Sequence, residues 1–174
     1  PDCSILANIL AGSQPPPDCA APAITEQPQN QAIAYGQTAT LGVTATGTGP
    51  LSLQWYEGLS PDDSSPIDGE TGTSFTTPEL DHSADYWVRV SNSCGFADSD
   101  TASITVNVPP RGTLQFLSAT ESVSENGGNL RIYVSRTGGS FEAASVVYTA
   151  TDGTASAGSD YSAPSGTLHW ADGD

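Results

Sequence analysis

Methionine and lysine are absent from this 174-residue chain, and cysteine (three), histidine (two) and arginine are scarce. Without lysine, only Arg89, Arg111, Arg131 and Arg136 face 20 acidic residues, for a formal net charge of -16. Such a surface repels phosphates, which excludes nucleic acid and anionic membrane surfaces as partners. No run approaches the ~18 apolar residues of a membrane span. The apolar stretch at 5–11 is short, lacks a basic flank and sits beside Cys3, unlike a signal peptide. His82 and His169 lie in different halves and carry no HExxH or other zinc spacing. A Gly-x-Ser-x-Gly elbow, a phosphate-binding glycine loop and a Cys-x-x-Cys pair are all missing, so catalysis has no visible residues and the chain is read as a non-enzyme. No Asn-x-Ser/Thr sequon occurs. The lack of Met, position 1 included, and the stop after Asp172-Gly173-Asp174 are read as those of a segment of a longer exported polypeptide.

What is present is β-forming. A hydrophobic fraction of 36% with 18 glycines and abundant Ser and Thr suits sandwiches better than helices. Ala39, Leu41, Val43 and Ala45 alternate with polar residues or glycine, as do Leu51, Leu53 and Trp55, then Tyr86, Val88 and Val90, then Ile104, Val106 and Val108. Period two predicts half-buried antiparallel strands. Pro15-Pro16-Pro17 and Pro109-Pro110 divide the chain into a leader (1–22), a first module (23–108), a short, stiff linker (109–112) and a second module (113–174). In the second module Leu114 to Leu117, Leu130 with Ile132 and Val134, Ser145 to Thr149, and Gly166 to Trp170 read as strands. The 62 residues from Thr113 onward supply roughly half the strands of a two-sheet sandwich.

Gln54-Trp55-Tyr56 resembles the strand C tryptophan motif of a bacterial immunoglobulin-like domain. Asp85-Tyr86-Trp87-Val88-Arg89-Val90-Ser91-Asn92 resembles its strand F with a tyrosine corner. Val88 stands where antibody domains carry the strand F cysteine, so apolar packing around Trp55 replaces the inter-sheet disulfide. In similar bacterial modules a cysteine ahead of the first strand pairs with one in an Asn-Ser-Cys-Gly hairpin. The resemblance maps that pair onto Cys19 and Cys94, leaving Cys3 for a partner on another segment or chain; a local Cys3 to Cys19 bridge competes.

Ser122-Val123-Ser124-Glu125-Asn126-Gly127-Gly128 and Asp152-Gly153-Thr154-Ala155-Ser156-Ala157-Gly158-Ser159-Asp160-Tyr161 resemble the first half of a Calx-beta domain. That resemblance implies calcium ligands at Glu125 and Asp160, with further acidic ligands in a later run of the family. Asp152 opens a Gly-Thr-Ala turn, where an aspartate most often bonds its own backbone; it is the third candidate ligand. Glu57, Asp62, Asp63 and Asp68 fail the EF-hand spacing and read as a solvated loop with Asx-turns.

The fold class expected is therefore all-β: tandem antiparallel sandwiches, one Ig-like and one incomplete Calx-beta-like. The function expected is a non-catalytic structural or adhesive segment of a large bacterial cell-surface or extracellular protein. It belongs to a spacer, stalk or filament subunit, stiffened where calcium binds. Its partners are neighbouring modules or subunits, including self-assembly by strand complementation, with residues 4–11 as one donor despite their helical spacing. Two other readings stand beside it. One is an accessory module of a secreted enzyme whose catalytic domain lies elsewhere. The other is a carbohydrate-binding module, using Trp87 and Trp170 as outward-facing rings once Trp55 is assigned to the core.

Overall fold

A computed structural model describes residues 19–124 and 127–174, and every strand or helix among them is a strand. Contacts divide the chain into two units, Pro1–Val108 and Pro109–Asp174. Cys3, the stretch 4–11 and Glu125 lie outside the described residues.

The first unit runs β1 (Ala23–Glu26), β2 (Gln31–Ala34), β3 (Thr40–Gly42), β4 (Thr44–Thr46), β5 (Ser52–Glu57), β6 (Ser74–Thr76), β7 (Ala84–Asn92), β8 (Gly95–Asp98) and β9 (Ala102–Asn107). One sheet orders β2, β9, β7, β5, with β8 returning along β7. Facing it, β1 pairs with β4 and β3 with β6, while β3 and β4 flank buried Val43 in one run. Alternation explains the layers: along β9 Ala102, Ile104 and Val106 are buried, while Ser103, Thr105 and Asn107 face out. Leu41, Val43 and Phe75 from one sheet meet Trp55, Tyr86, Val88 and Ile104 from the other. Each such side chain contributes about 1.5–3 kcal/mol on full burial. Trp55 and Val88, register partners within one sheet, share the core with Leu41 and Phe75 of the facing strands, so apolar packing does fill the place of an inter-sheet disulfide. The Trp55 indole N–H is satisfied by the Gly72 carbonyl at 2.9 Å.

The all-β fold expected is present. One pairing within it is parallel, β2 beside β9, with Gln31 opposite Ile104 and Ala34 opposite Asn107. The chain crosses from one sheet to the other between β1 and β2, so its first edge joins both layers. The last strand also ends at Asn107, and Val108 is exposed.

The second unit contains β10 (Thr113–Phe116), β11 (Val134–Thr137), β12 (Ala144–Thr149) and β13 (Ser165–Trp170). They form two separate antiparallel ladders, β10 with β11 and β12 with β13. Leu130 and Ile132 were expected within a strand, but β11 begins only at Val134. Both side chains are exposed, so nothing on the apolar side holds that stretch to a regular register. None of the described residues of this unit is fully buried. Two-stranded ladders are too few to cover one another's apolar faces.

Candidate functional site

Three places concentrate the side chains that could carry function, and each is built differently. The first is one end of the first unit. β7 runs into the turn Ser93-Cys94 and returns as β8, with Asn92 opposite Gly95. The Asn92 carboxamide shapes that turn: its Oδ1 accepts from the Cys94 N–H at 2.8 Å. Its Nδ2 donates to the carbonyls of Ala20 and Thr48, both at 2.8 Å. Thr48 and Ala20 also exchange bonds, Ala20 N–H to Thr48 Oγ1 at 2.9 Å and Thr48 N–H to the Ala20 carbonyl at 3.1 Å. The segment ahead of β1 is thereby laid beside the hairpin, and Cys19 is bonded to Cys94 with Cα atoms 5.9 Å apart. The pairing implied by the bacterial resemblance is present, and the competing Cys3 to Cys19 bridge is overturned.

The second place is the outer face of β5, β7 and β8. Parity directs Trp87 away from the core, where the carbohydrate reading requires an exposed ring. Instead Trp87 is completely buried, stacked on Tyr56 and covered by the Arg89 guanidinium 5.3 Å from its ring. It offers no face to a sugar. Its Nε1 is buried with no hydrogen-bond partner among the described residues. Trp170, at the end of β13, is half-buried.

Arg89 is the centre of this face. Its Nε and Nη2 grip the two oxygens of Asp98 at 2.6 and 3.0 Å, and its Nη1 reaches Asp63 at 2.7 Å. Hydrogen bonds from Asp98 first, then Asp63, raise its pKa further and fix it as a cation. The exposed ring of Phe96 lies 4.7 Å from the same guanidinium. The acidic loop thus differs from the fully solvated loop expected. Asp62 makes an Asx-turn, accepting from the Ser64 N–H at 3.1 Å, and Ser64 holds its carboxyl below the usual range. Asp63 instead reaches across to β7. One signal could have revealed it: Arg89 is the single arginine before position 109 in a chain without lysine, placed mid-strand among apolar neighbours.

The third place is the acidic turn of the second unit. Asp152 Oδ1 accepts from the Ala157 N–H at 2.8 Å and from the Tyr161 hydroxyl at 2.9 Å. That bond to Asp152 pushes the Tyr161 phenol pKa up. Asp160 Oδ2 accepts from the Ser156 N–H at 2.8 Å. Both aspartates are therefore turn-forming acceptors within one loop. Calcium takes six to eight oxygens, and no group of three or more His, Cys, Asp or Glu side chains is gathered among the described residues. Asp152 and Asp160 do not complete a calcium site by themselves, and Glu125 lies outside the described residues. His82 bonds exposed Asp81 in a turn, and His169 sits in β13 opposite Ser145.

Beside these, the second unit presents an apolar groove of about 360 Å³, lined among others by Phe116, Leu130, Ile132, Tyr148 and Leu168. No helix among the described residues is long and apolar enough to cross a membrane.

Comparison with known proteins bears on both units. The family model described as "Ig-like domain CHU_C associated" matches residues 20–110, and the Calx-beta domain model matches 110–174. Calx-beta domains are associated in general with calcium binding. No curated protein matches the chain. Among solved structures, a chimeric titin Z1Z2 carrying an exogenous decorin peptide is 23% identical. That match covers 52% of this chain and 97% of its own, with a TM-score of 0.43. The tandem Ig repeats of Dlar are 18% identical over 51% of this chain and 47% of theirs, with a TM-score of 0.43. Sidekick-1 immunoglobulin domains 1–5 are 17% identical over 52% and 20%, also at 0.43.

Proposed function

The chain belongs to the CHU_C-associated Ig-like family and continues into a Calx-beta segment, and from that premise we propose that it is a non-catalytic structural and adhesive segment of a large extracellular or cell-surface protein. The observation that carries this reading is the Cys19–Cys94 bridge, because such crosslinks persist in oxidising compartments. The polar groups of the first unit agree with it: Asn92, Arg89, Asp98 and Asp63 are engaged in holding turns and strands to one another. An acidic surface with a charge of -16 keeps such a spacer soluble and unattached to neighbouring polyanions. The test is labelling of intact native cells with an antibody against the Ig-like unit. Surface labelling and recovery of the bridged peptide from non-reduced digests are expected; labelling only after permeabilisation would overturn the reading.

Calcium enters this proposal as a stiffening ion. Asp152 and Asp160 would contribute oxygens together with Glu125 and acidic groups from further chain, tying loops at one tip. Calorimetric titration of the parent polypeptide checks it: binding heat and a raised melting temperature are expected, and neither would appear if the loops are held by hydrogen bonds alone.

A second reading rests on the open apolar side of the second unit, where Phe116, Leu130, Ile132, Tyr148 and Leu168 line one groove and all remain exposed. Strands from a neighbouring module or subunit cover it, and in the latter case the protein forms fibres. Negative-stain microscopy of native material separates the two: filaments support subunit exchange, and dispersed single molecules exclude it.

A further inference from the structure

We propose that the Cys19–Cys94 bridge makes the Ig-like unit inextensible, so that tension along the polypeptide bypasses almost the whole sandwich until the bridge is reduced.

The inference follows from where the two cysteines sit. Cys19 precedes β1, and Cys94 lies in the turn that opens β8, 75 positions later. A pull entering from the N-terminal side reaches Cys19 and crosses to Cys94. It then continues through β8, Ser99 to Thr101, and β9 to Val108. Strands β1 to β7 all lie inside the closed loop and carry none of it. The usual alternative would place the bridge between core strands and leave long arms outside; here almost nothing is outside.

The run that carries the tension is already close to its full length. β8 and β9 are strands, and a strand rises about 3.3 Å per residue against a limit of about 3.6 Å. Straightening the bend at Ser99 to Thr101 adds on the order of 10 Å at most. The run is also held along its length. β8 pairs with β7 from Asn92 opposite Gly95 to Arg89 opposite Asp98, and β9 pairs with β7 on one side and β2 on the other. At the bend, Val88 N–H bonds Ser99 Oγ and Ser99 N–H bonds the Val88 carbonyl, each at 2.9 Å. Asp98 is further clamped by Arg89. Sliding this run out of the sheet requires breaking those ladders together.

Reduction changes the path entirely. Force then enters at residue 20 and loads β1 against β4, and next β2 against β9. Once these ladders part, the loop formerly closed by the bridge can be drawn out, a gain of about 250 Å for a separation of 75 residues at ~3.3–3.6 Å each. Thiol–disulfide exchange with an external dithiol, which is oxidised to its own disulfide as Cys19 and Cys94 become thiols, therefore selects between a rigid link and an extensible one. This goes beyond the spacer reading, which survives if it fails, since a spacer need not be inextensible.

Single-molecule force spectroscopy on the 174-residue chain, held by its ends, tests it. Cys3→Ser is carried throughout so that no other disulfide forms. Without reductant, traces should lack the step of about 250 Å that appears once the dithiol dithiothreitol is added to the same tethered molecule. Lengthening from residues 109–174 should be identical in both states. Cys94→Ser should show the long step without reductant. If that variant does not fold, judged by circular dichroism, reduction of the tethered, already folded chain still decides. A step of about 250 Å in the oxidised chain, or identical traces with and without reductant, would overturn the proposal.

Discussion

The Trp87 indole lies flat against the Tyr56 ring, centroids 4.4 Å apart and planes inclined by 11°, on the face of the sheet turned away from the sandwich core. The two are register partners on β5 and β7, so the stack is built across the ladder. A second, smaller apolar layer thus exists outside the main core. Truncating its centre removes a large buried ring: Trp87→Ala should lower the stability of the Ig-like unit by about 3–5 kcal/mol, read from urea denaturation. Acrylamide should quench the half-buried Trp170 while leaving buried Trp55 and Trp87 largely protected.

Arg89 closes that layer. Replacing it with leucine keeps some cover over the rings but leaves Asp98, whose side chain is 17% exposed, without its bidentate partner. The expected loss is about 2–3 kcal/mol, less than for a fully buried pair because water still reaches the site. Arg89→Leu combined with Asp98→Leu should recover part of it. Raising salt should weaken the arm to Asp63 more, since that carboxylate is 60% exposed. Additive losses in the double variant would mean that the two groups are not coupled.

Strong periodicity was legible in the amino-acid order, and weak elements held by their partners were not. Ala102, Ile104 and Val106 announce β9 unaided, and Trp55 with Val88 announces the core. β1 and β2 carry one large apolar residue each, Ile24 and Ile33, and exist because β4 and β9 offer them ladders. Leu130 and Ile132 fail in the opposite way: their alternation is strand-like, but no apolar layer faces it. Parity reports which side Trp87 takes, while its burial on the outer side depends on the Tyr56 ring stacking from β5 and on the Arg89 guanidinium, two residues along β7, held over it by Asp98 and Asp63. At the acidic turn, the backbone-bonding role expected for Asp152 is present, and Asp160 plays the same part.

Alkaline pH should selectively weaken the Ig-like unit through Tyr86. Burial first, then the negative charge of Glu57, pushes its phenol above the usual 10.0. In the unfolded chain it ionises at the ordinary value, while in the folded chain it stays protonated. Its contribution is therefore complete below pH 10.0 and is lost as pH rises from there through the raised value. Tyr86→Phe, which conserves volume, should flatten this part of the profile at a cost below about 1.5 kcal/mol near neutral pH. Denaturation midpoints for both proteins between neutral and strongly alkaline pH would check it, and parallel curves would remove Tyr86 from the account.

In the second unit the backbone at 110–112 is packed so tightly on 139–142 that a single methyl group should pry them apart. Gly139 has φ of 151°, and a Cβ there would lie 2.1 Å from the Pro110 carbonyl oxygen. The same two segments are tied by Phe141 N–H to that carbonyl at 3.2 Å. Arg136 adds to them: its guanidinium donates to the carbonyls of Arg111, Phe141 and Glu142. Gly138, its neighbour, also has positive φ at 79° but meets nothing within 4 Å. Gly138→Ala should therefore cost only the backbone strain of a left-handed residue, about 1–2 kcal/mol. Gly139→Ala adds a backbone collision that no rotamer can relieve, and should cost clearly more. Hydrogen exchange at the Phe141 amide should read the difference, accelerating strongly in Gly139→Ala and modestly in Gly138→Ala. Equal acceleration in both would show that the close approach at Pro110 does not hold this end of the unit together.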